Sequence, residues 1–160
     1  DLVREDKALT QYDFVFVDTA GNRDALLNAA LLAATDLVVP LTPSVLSTSE
    51  LQGLNEIIEA TQKQQRRINT QPINMLGIAI VRAKERTRTV QDLRAELEAV
   101  SAEGVVHMIN TVIPDSDIIE KAARARVPVV NFRAGSNVGQ RYMELFLELF
   151  GNLPARSKSA

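Results

Sequence analysis

A chain of 160 residues with 46% apolar and 24% charged side chains has the balance of a single globular domain able to bury a core. The absence of cysteine excludes a disulfide framework and any cysteine-ligated zinc site, and no apolar run approaches the roughly 20 residues of a membrane span. The net charge is only −2, but residues 1–60 carry three basic and ten acidic side chains, whereas residues 61–88 carry seven basic side chains against Glu85 alone. A local positive segment in a mildly acidic chain points to a polyanionic partner.

The chain opens on Asp1 rather than Met and shows no signal peptide, which reads as a fragment or a processed chain. Residues 1–11 are polar and mixed in charge, and fit the end of a helix. Phe14 to Val17 is an unbroken apolar run of β-branched and aromatic residues, the pattern of a strand buried on both faces in a parallel sheet. Asp18 stands at its carboxyl end, before a turn through Thr19, Ala20 and Gly21. Asn22 or Asp24 then caps a helix whose buried face is Leu26, Leu27, Ala30, Leu31 and Ala34. Leu37 to Thr42 reads as a second buried strand, with Pro40 and Pro43 marking its end.

Ser47 or Thr48 begins a helix with apolar Leu51, Leu54, Ile57 and Ile58 and a basic end from Gln62 to Arg67. Met75 to Val81 is a third strand, running into Arg82, Lys84, Arg86 and Arg88. Val90, Leu93, Leu97 and Val100 define the next helix, ended by Gly104. Val105 to Val112 is read as a fourth strand finishing in Ile113-Pro114-Asp115, after which Asp115 or Ser116 caps a helix through Ile118, Ile119, Ala122 and Ala123. Val127 to Val130 is expected to be extended, as a fifth strand. Val138, Tyr142, Leu145, Phe146, Leu149 and Phe150 mark a strongly amphipathic last helix capped by Gly151. Residues 1–151 thus form one domain and 152–160 a loose tail. Alternating strands and helices predict an α/β fold with a mostly parallel sheet and flanking helices.

Ligands of open α/β sheets sit beyond the carboxyl ends of the strands, so Asp18 is the first candidate for chemistry. It either holds magnesium against nucleotide phosphates or caps the turn after it. Pro114 and Asp115 by themselves read as a strand-ending proline and a helix cap. Lys63, Arg66, Arg67, Arg82, Lys84, Arg86 and Arg88 lie at or after the carboxyl ends of their elements. They form either a patch for nucleic-acid phosphates or solvated faces, and positive charge at a helix end is favourable by itself. Aromatic residues do not interleave with them, which argues against stacking on single strands. His107, the only histidine, is read as a strand residue rather than a ligand.

The segment YDFVFVDTAGN, Tyr12 to Asn22, resembles the Walker B segment of the ParA/MinD family of deviant P-loop ATPases. ATDLVVPLTPS (Ala34 to Ser44), INTVIPDS (Ile109 to Ser116) and VPVVNF (Val127 to Phe132) resemble further family segments in the same order. The resemblance implies a P-loop NTPase-like fold and Mg2+-linked ATP turnover, with Asp18 as the catalytic and metal residue. Thr19 and Gly21 would shape a phosphate-sensing loop, and Pro114 and Asp115 the loop beside adenine. It further implies an ATP-dependent homodimer, non-specific binding of double-stranded DNA through the basic residues above, a ParB-like activating partner, and a cytoplasmic, nucleoid-associated protein without a membrane helix.

DTAG also occurs in signal-recognition-type GTPases, but the RAKERTRT after Val81 offers no Asp to read guanine. A non-catalytic DNA- or partner-binding module of the same fold is the other alternative. The family's glycine- and lysine-bearing phosphate loop is absent from these 160 residues, so alone they are not expected to bind ATP. The strand from Phe14 to Asp18 would then present an apolar edge that favours association with another chain.

Overall fold

The computed structural model describes residues 6, 8, 9, 11–19, 25–43, 48–84, 87–102 and 107–151, without the side chains of 48–52 and 100–102. Its elements are α1 (Ala25–Ala33), β1 (Asp36–Leu41), α2 (Thr48–Arg67), β2 (Asn74–Ile80), α3 (Arg88–Ala102), α4 (Asp117–Ala125), α5 (Val129–Phe132) and α6 (Asn137–Phe150). Strands β1 and β2 pair, and the amide of Asn74 donating to Thr35 O and that of Val81 to Leu41 O show them running parallel. The chain divides into two compact units: Asp1–Leu37 with Gln52–Met75 and Pro154–Ala160, and Val38–Leu51 with Leu76–Leu153.

The core of the first unit is built around Leu31, Ile58, Ile73 and a wholly buried Gln65. Two residues beyond α2, Asn69 has a left-handed backbone (φ 55°) that suits Asn, and the Thr70 amide returns to Gln65 O at 2.9 Å. That αL turn delivers the chain to Ile73. There the Gln65 side chain takes up the loose ends of two elements. Its Nε2 faces the carbonyls of Leu31, Leu32 and Ala34 at 3.1, 3.2 and 3.3 Å, and its Oε1 accepts from the Ile73 amide at 2.6 Å. Those carbonyls close α1 and would otherwise lack intrahelical partners.

The second unit buries Ile78, Ala79, Ile80 and Ala83 from the β2 region, Val90, Leu93 and Leu97 from α3, Met108, Ile109 and Ile113, and Ala122 and Val138 from α4 and α6. The apolar spacing expected for α3 is met by burial at Val90, Leu93 and Leu97, and the Val100 side chain lies outside the described residues. Ser116 caps α4 by accepting from the Ile118 amide, and Ser136 caps α6 by accepting from the Gly139 amide at 3.1 Å. Gly151 closes α6 with an ordinary right-handed backbone, its N–H donating to Leu147 O.

Gly77 is the point at which the 107–109 segment can reach β2. Its φ is +149°, and a methyl there would stand 2.8 Å from Ile109 Cγ1 and 2.9 Å from His107 O. Gly77→Ala combines backbone strain with a clash inside a packed layer and is expected to cost about 2–3 kcal/mol. In a chain of this size that lowers the thermal midpoint by roughly 5–10 °C. An unchanged midpoint would show that the close approach is not needed.

Four expectations are corrected. Phe14 to Val17 belongs to no strand among the described residues, and its side chains are exposed, Phe16 by 76%. An apolar run becomes a buried strand only with a sheet neighbour and covering helices, and the described sheet supplies neither to this segment. Phe14 and Phe16 instead stack on each other with ring centroids 6.1 Å apart. Leu26 is 78% exposed, so the buried stripe of α1 narrows to Leu31 with Leu27, Ala30 and Ala34 half-buried.

The segment Val105 to Val112 is not a continuous strand. Its described part touches β2 at the isolated parallel bridge Ile78–Met108, and a second bridge joins Ala83 to Pro114. Val127 to Val130 is not extended either. Pro128 fixes the backbone that opens a helical turn, and its carbonyl accepts from the amides of Asn131 and Phe132.

Smaller differences have equally local causes. Strand β1 continues through Pro40 to Leu41, with Pro40 exposed, because a proline is tolerated on a strand's open side. The described residues among 6–12 form turns, with the Leu9 amide donating to Asp6 O and the Tyr12 amide to Leu9 O. Phe146 on α6 is half exposed together with Met143 and Leu147. The expectations on Gly21, Asn22, Asp24, Ser47, Arg86, Gly104, Val105 and the tail 152–160 lie outside the described residues.

Candidate functional site

The best-defined site element is the loop at the carboxyl end of β2. Four backbone bonds lock it in place. The Ala83 amide donates to Ile113 O at 3.1 Å and the Asp115 amide to Ala83 O at 2.9 Å, while the Ile113 amide donates to Ile80 O at 2.9 Å and the Ile109 amide to Ile78 O at 3.0 Å. Pro114, bridged to Ala83, is buried and Asp115 is exposed, immediately before the capping Ser116 of α4. A loop so placed stands where open parallel sheets bind ligands. On the facing run, Arg82 has a left-handed backbone (φ 54°), and Thr87 Oγ1 donates to Lys84 O at 3.0 Å at the start of α3.

The approach to this loop is held by residues that the sequence did not single out. Glu148, on α6, accepts at Oε1 from the Asn110 amide (2.6 Å) and Asn110 Nδ2 (2.9 Å). Its Oε2 accepts from the Thr111 amide (2.9 Å) and Thr111 Oγ1 (2.6 Å). Arg94 Nη2, on α3, donates to Asn110 O at 2.8 Å. Burial pushes the Glu148 carboxyl up, but the hydrogen bonds from Thr111 and Asn110 outweigh it and hold the group below the usual carboxylate range.

The other candidates are divided between the two units. Asp18 and Thr19 are exposed and lie in the first unit, beyond the irregular 12–17 segment rather than at the end of a sheet strand. Among the described residues no three His, Cys, Asp or Glu side chains cluster as a metal cage. Asp18 and the Thr19 hydroxyl are hard oxygen donors, and they suit magnesium that takes its other ligands from phosphates and water. Lys63, Arg66 and Arg67 project from the last turns of α2 in the first unit, all exposed; Arg82, Lys84 and Arg88 are exposed in the second unit. His107 uses its carbonyl to accept from the Ile78 amide, as a residue within a bridge.

Parallel strand pairing, flanking helices and a loop fixed at the carboxyl end of β2 define an α/β class of architecture. Comparison with known proteins narrows the class. A family model described as an AAA domain matches residues 4–73. The fold is similar to the cell division ATPase MinD of Pyrococcus furiosus, at TM-score 0.59 and 16% identity over 88% of this chain and 53% of that one. It is similar as well to the septum site-determining protein MinD of Pyrococcus horikoshii, solved with Mg-ADP, at TM-score 0.59 and 18% identity over 94% and 57% of the two chains. The chain thus shares, in part, the P-loop NTPase-like fold of these two proteins. It spans little more than half the length of either MinD structure.

Proposed function

We propose that this chain is part of a ParA-like ATPase that partitions DNA or positions intracellular cargo, dimerising around Mg-ATP and holding duplex DNA without sequence preference. The observation that carries the reading is the Pro114–Asp115 loop bonded to the carboxyl end of β2 in a fold shared with two MinD ATPases. In this reading Pro114 and Asp115 flank the adenine, and Asp18 holds magnesium, with Thr19 and Gly21 beside the γ-phosphate. Magnesium, when bound, offsets the phosphate charge. The chain's own part is to orient the base through the loop and to place the Asp18 carboxylate. A ParB-like protein would trigger hydrolysis and release. No helix among the described residues is long and apolar enough to cross a membrane; the proposed role is cytoplasmic and nucleoid-associated.

In this reading Lys63, Arg66, Arg67, Arg82, Lys84, Arg86 and Arg88 are the residues that contact DNA. Phosphate contacts by such residues release counterions, so binding weakens steeply with salt. Changing Arg66, Arg67, Arg86 and Arg88 to Glu in the full-length, ATP-bound protein is expected to abolish retention on random duplex DNA. Single changes to Ala should each reduce the log–log salt slope by roughly 1. Retention that survives the four reversals places the DNA surface elsewhere or removes it.

A further inference from the structure

In a regular parallel ladder the bridge between Ile78 and Met108 dictates the pairings beyond it. The Ile78 amide donates to His107 O, the Ile109 amide donates to Ile78 O, and the next acceptor, Ile80 O, should take the amide of Thr111. It does not. Ile80 O accepts from Ile113, two residues later. The displaced Thr111 amide and its neighbour from Asn110 both turn to the Glu148 carboxylate. Successive amides of a strand point to opposite sides, so two that converge on one carboxylate mark a bulge.

The Asn110–Thr111 peptide is fixed from both ends, its carbonyl by Arg94 and its N–H by Glu148. One residue of the offset is then recovered at Arg82, where the left-handed backbone lets the Ala83 amide, rather than that of Arg82, meet Ile113 O. The bridges record the net result, five steps from Ile78 to Ala83 against six from Met108 to Pro114.

We infer that Glu148 is a positioning residue that sets the register of the 107–115 segment against β2, and thereby where Pro114 and Asp115 stand at the ligand end of the sheet. The register assignment rests on the hydrogen bonds alone; its consequence for nucleotide rests on the function proposed above. Without the carboxylate, the Thr111 amide has an acceptor ready in Ile80 O. Taking it slides the segment by two residues, roughly 6.6 Å, and carries Pro114 away from Ala83. The slide gives up the bonds of Ile113 to Ile80 O, Ala83 to Ile113 O and Asp115 to Ala83 O in exchange for the regular pairing of Thr111 with Ile80, so Glu148 decides between two pairings.

Residue-resolved amide exchange on the full-length protein tests this, using Glu148→Ala and the milder Glu148→Gln, which keeps one acceptor oxygen. The expected pattern for Glu148→Ala is selective: Asn110 and Ile113 lose protection by about tenfold or more, while Thr111, Ile78 and Ile109 keep theirs. Glu148→Gln should fall between Glu148→Ala and the parent. Unchanged protection at Ile113, or an equal loss across Ile78, Ile80 and Ile109, overturns the assignment and leaves Glu148 as a surface stabiliser.

The functional consequence has its own readout. ATP should bind Glu148→Ala roughly tenfold more weakly, whereas inorganic tripolyphosphate, which has no base, should bind both proteins alike. Equal effects on the two ligands, or none, overturn the positioning role. If the parent protein binds tripolyphosphate and ATP equally, it is the adenine assignment of the loop that fails, and the exchange pattern still decides the register.

Discussion

Replacing Gln65 with leucine is expected to destabilise the protein by about 3 kcal/mol although leucine fills nearly the same volume. Gln65 is 0% exposed, and its amide bonds join the carbonyls closing α1 to the amide of Ile73, itself only 1% exposed. Leucine would leave the buried Ile73 amide without its acceptor and take the donor from the buried Leu31 carbonyl, and an unmade buried hydrogen bond costs roughly 1–3 kcal/mol. With a urea slope of about 2 kcal/mol/M, the midpoint should fall by roughly 1.5 M at unchanged slope. A fall of only a few tenths molar would show that the network closes without this side chain. Gln65→Glu discriminates further. The carboxylate still accepts from Ile73 but faces three carbonyls with no proton to offer, so at neutral pH it should be worse than leucine.

The same residue illustrates what sequence could and could not convey. Gln65 sits in Lys63-Gln64-Gln65-Arg66-Arg67, which reads as the polar, basic end of a helix; only its placement against α1 and Ile73 reveals a core residue. Glu148 is concealed in the same way. On α6 it falls where the amphipathic pattern expects a solvated side chain, and its partners Asn110 and Thr111 are 38 and 37 positions away in the chain. What was legible depends on local periodicity. Val90, Leu93 and Leu97 are buried on α3 as their spacing demands, the burial of Ile78 to Ile80 matches the apolar run of β2, and Ser116 caps α4.

What was not legible depends on partners. Phe14 to Val17 has the composition of a buried strand, but composition cannot supply a neighbouring strand. Residues 107–113 have β-forming side chains, yet one carboxylate diverts two of their amides and breaks the ladder. Val127 to Val130 has β-branched side chains as well, and Pro128 overrides them by presetting a helical turn. Of the candidate site residues, Pro114 and Asp115 are gathered at the end of β2, whereas Asp18 and Thr19 are placed with the first unit and keep their roles as proposals.

The largest expected effect on activity belongs to Asp18. The carboxylate comes directly after the apolar run Phe14 to Val17 and precedes Thr19, Ala20 and Gly21, and in the proposed function it holds magnesium beside a triphosphate. In the full-length protein, Asp18→Ala and Asp18→Asn should each reduce Mg-ATP hydrolysis by about a hundredfold or more, the loss of roughly 3 kcal/mol of transition-state stabilisation. Stability should barely change, because Asp18 is exposed, and surface substitutions are usually within about 0.5 kcal/mol. The two measurements must therefore separate: steady-state turnover collapses while the urea midpoint stays in place. Raising the Mg2+ concentration should recover part of the Asp18→Asn activity, since the amide oxygen still offers one hard donor, and should recover less of the Asp18→Ala activity. Hydrolysis at the parental rate in either variant would remove Asp18 from the reaction and return it to the other role its position allows, that of capping the turn through Thr19 and Gly21.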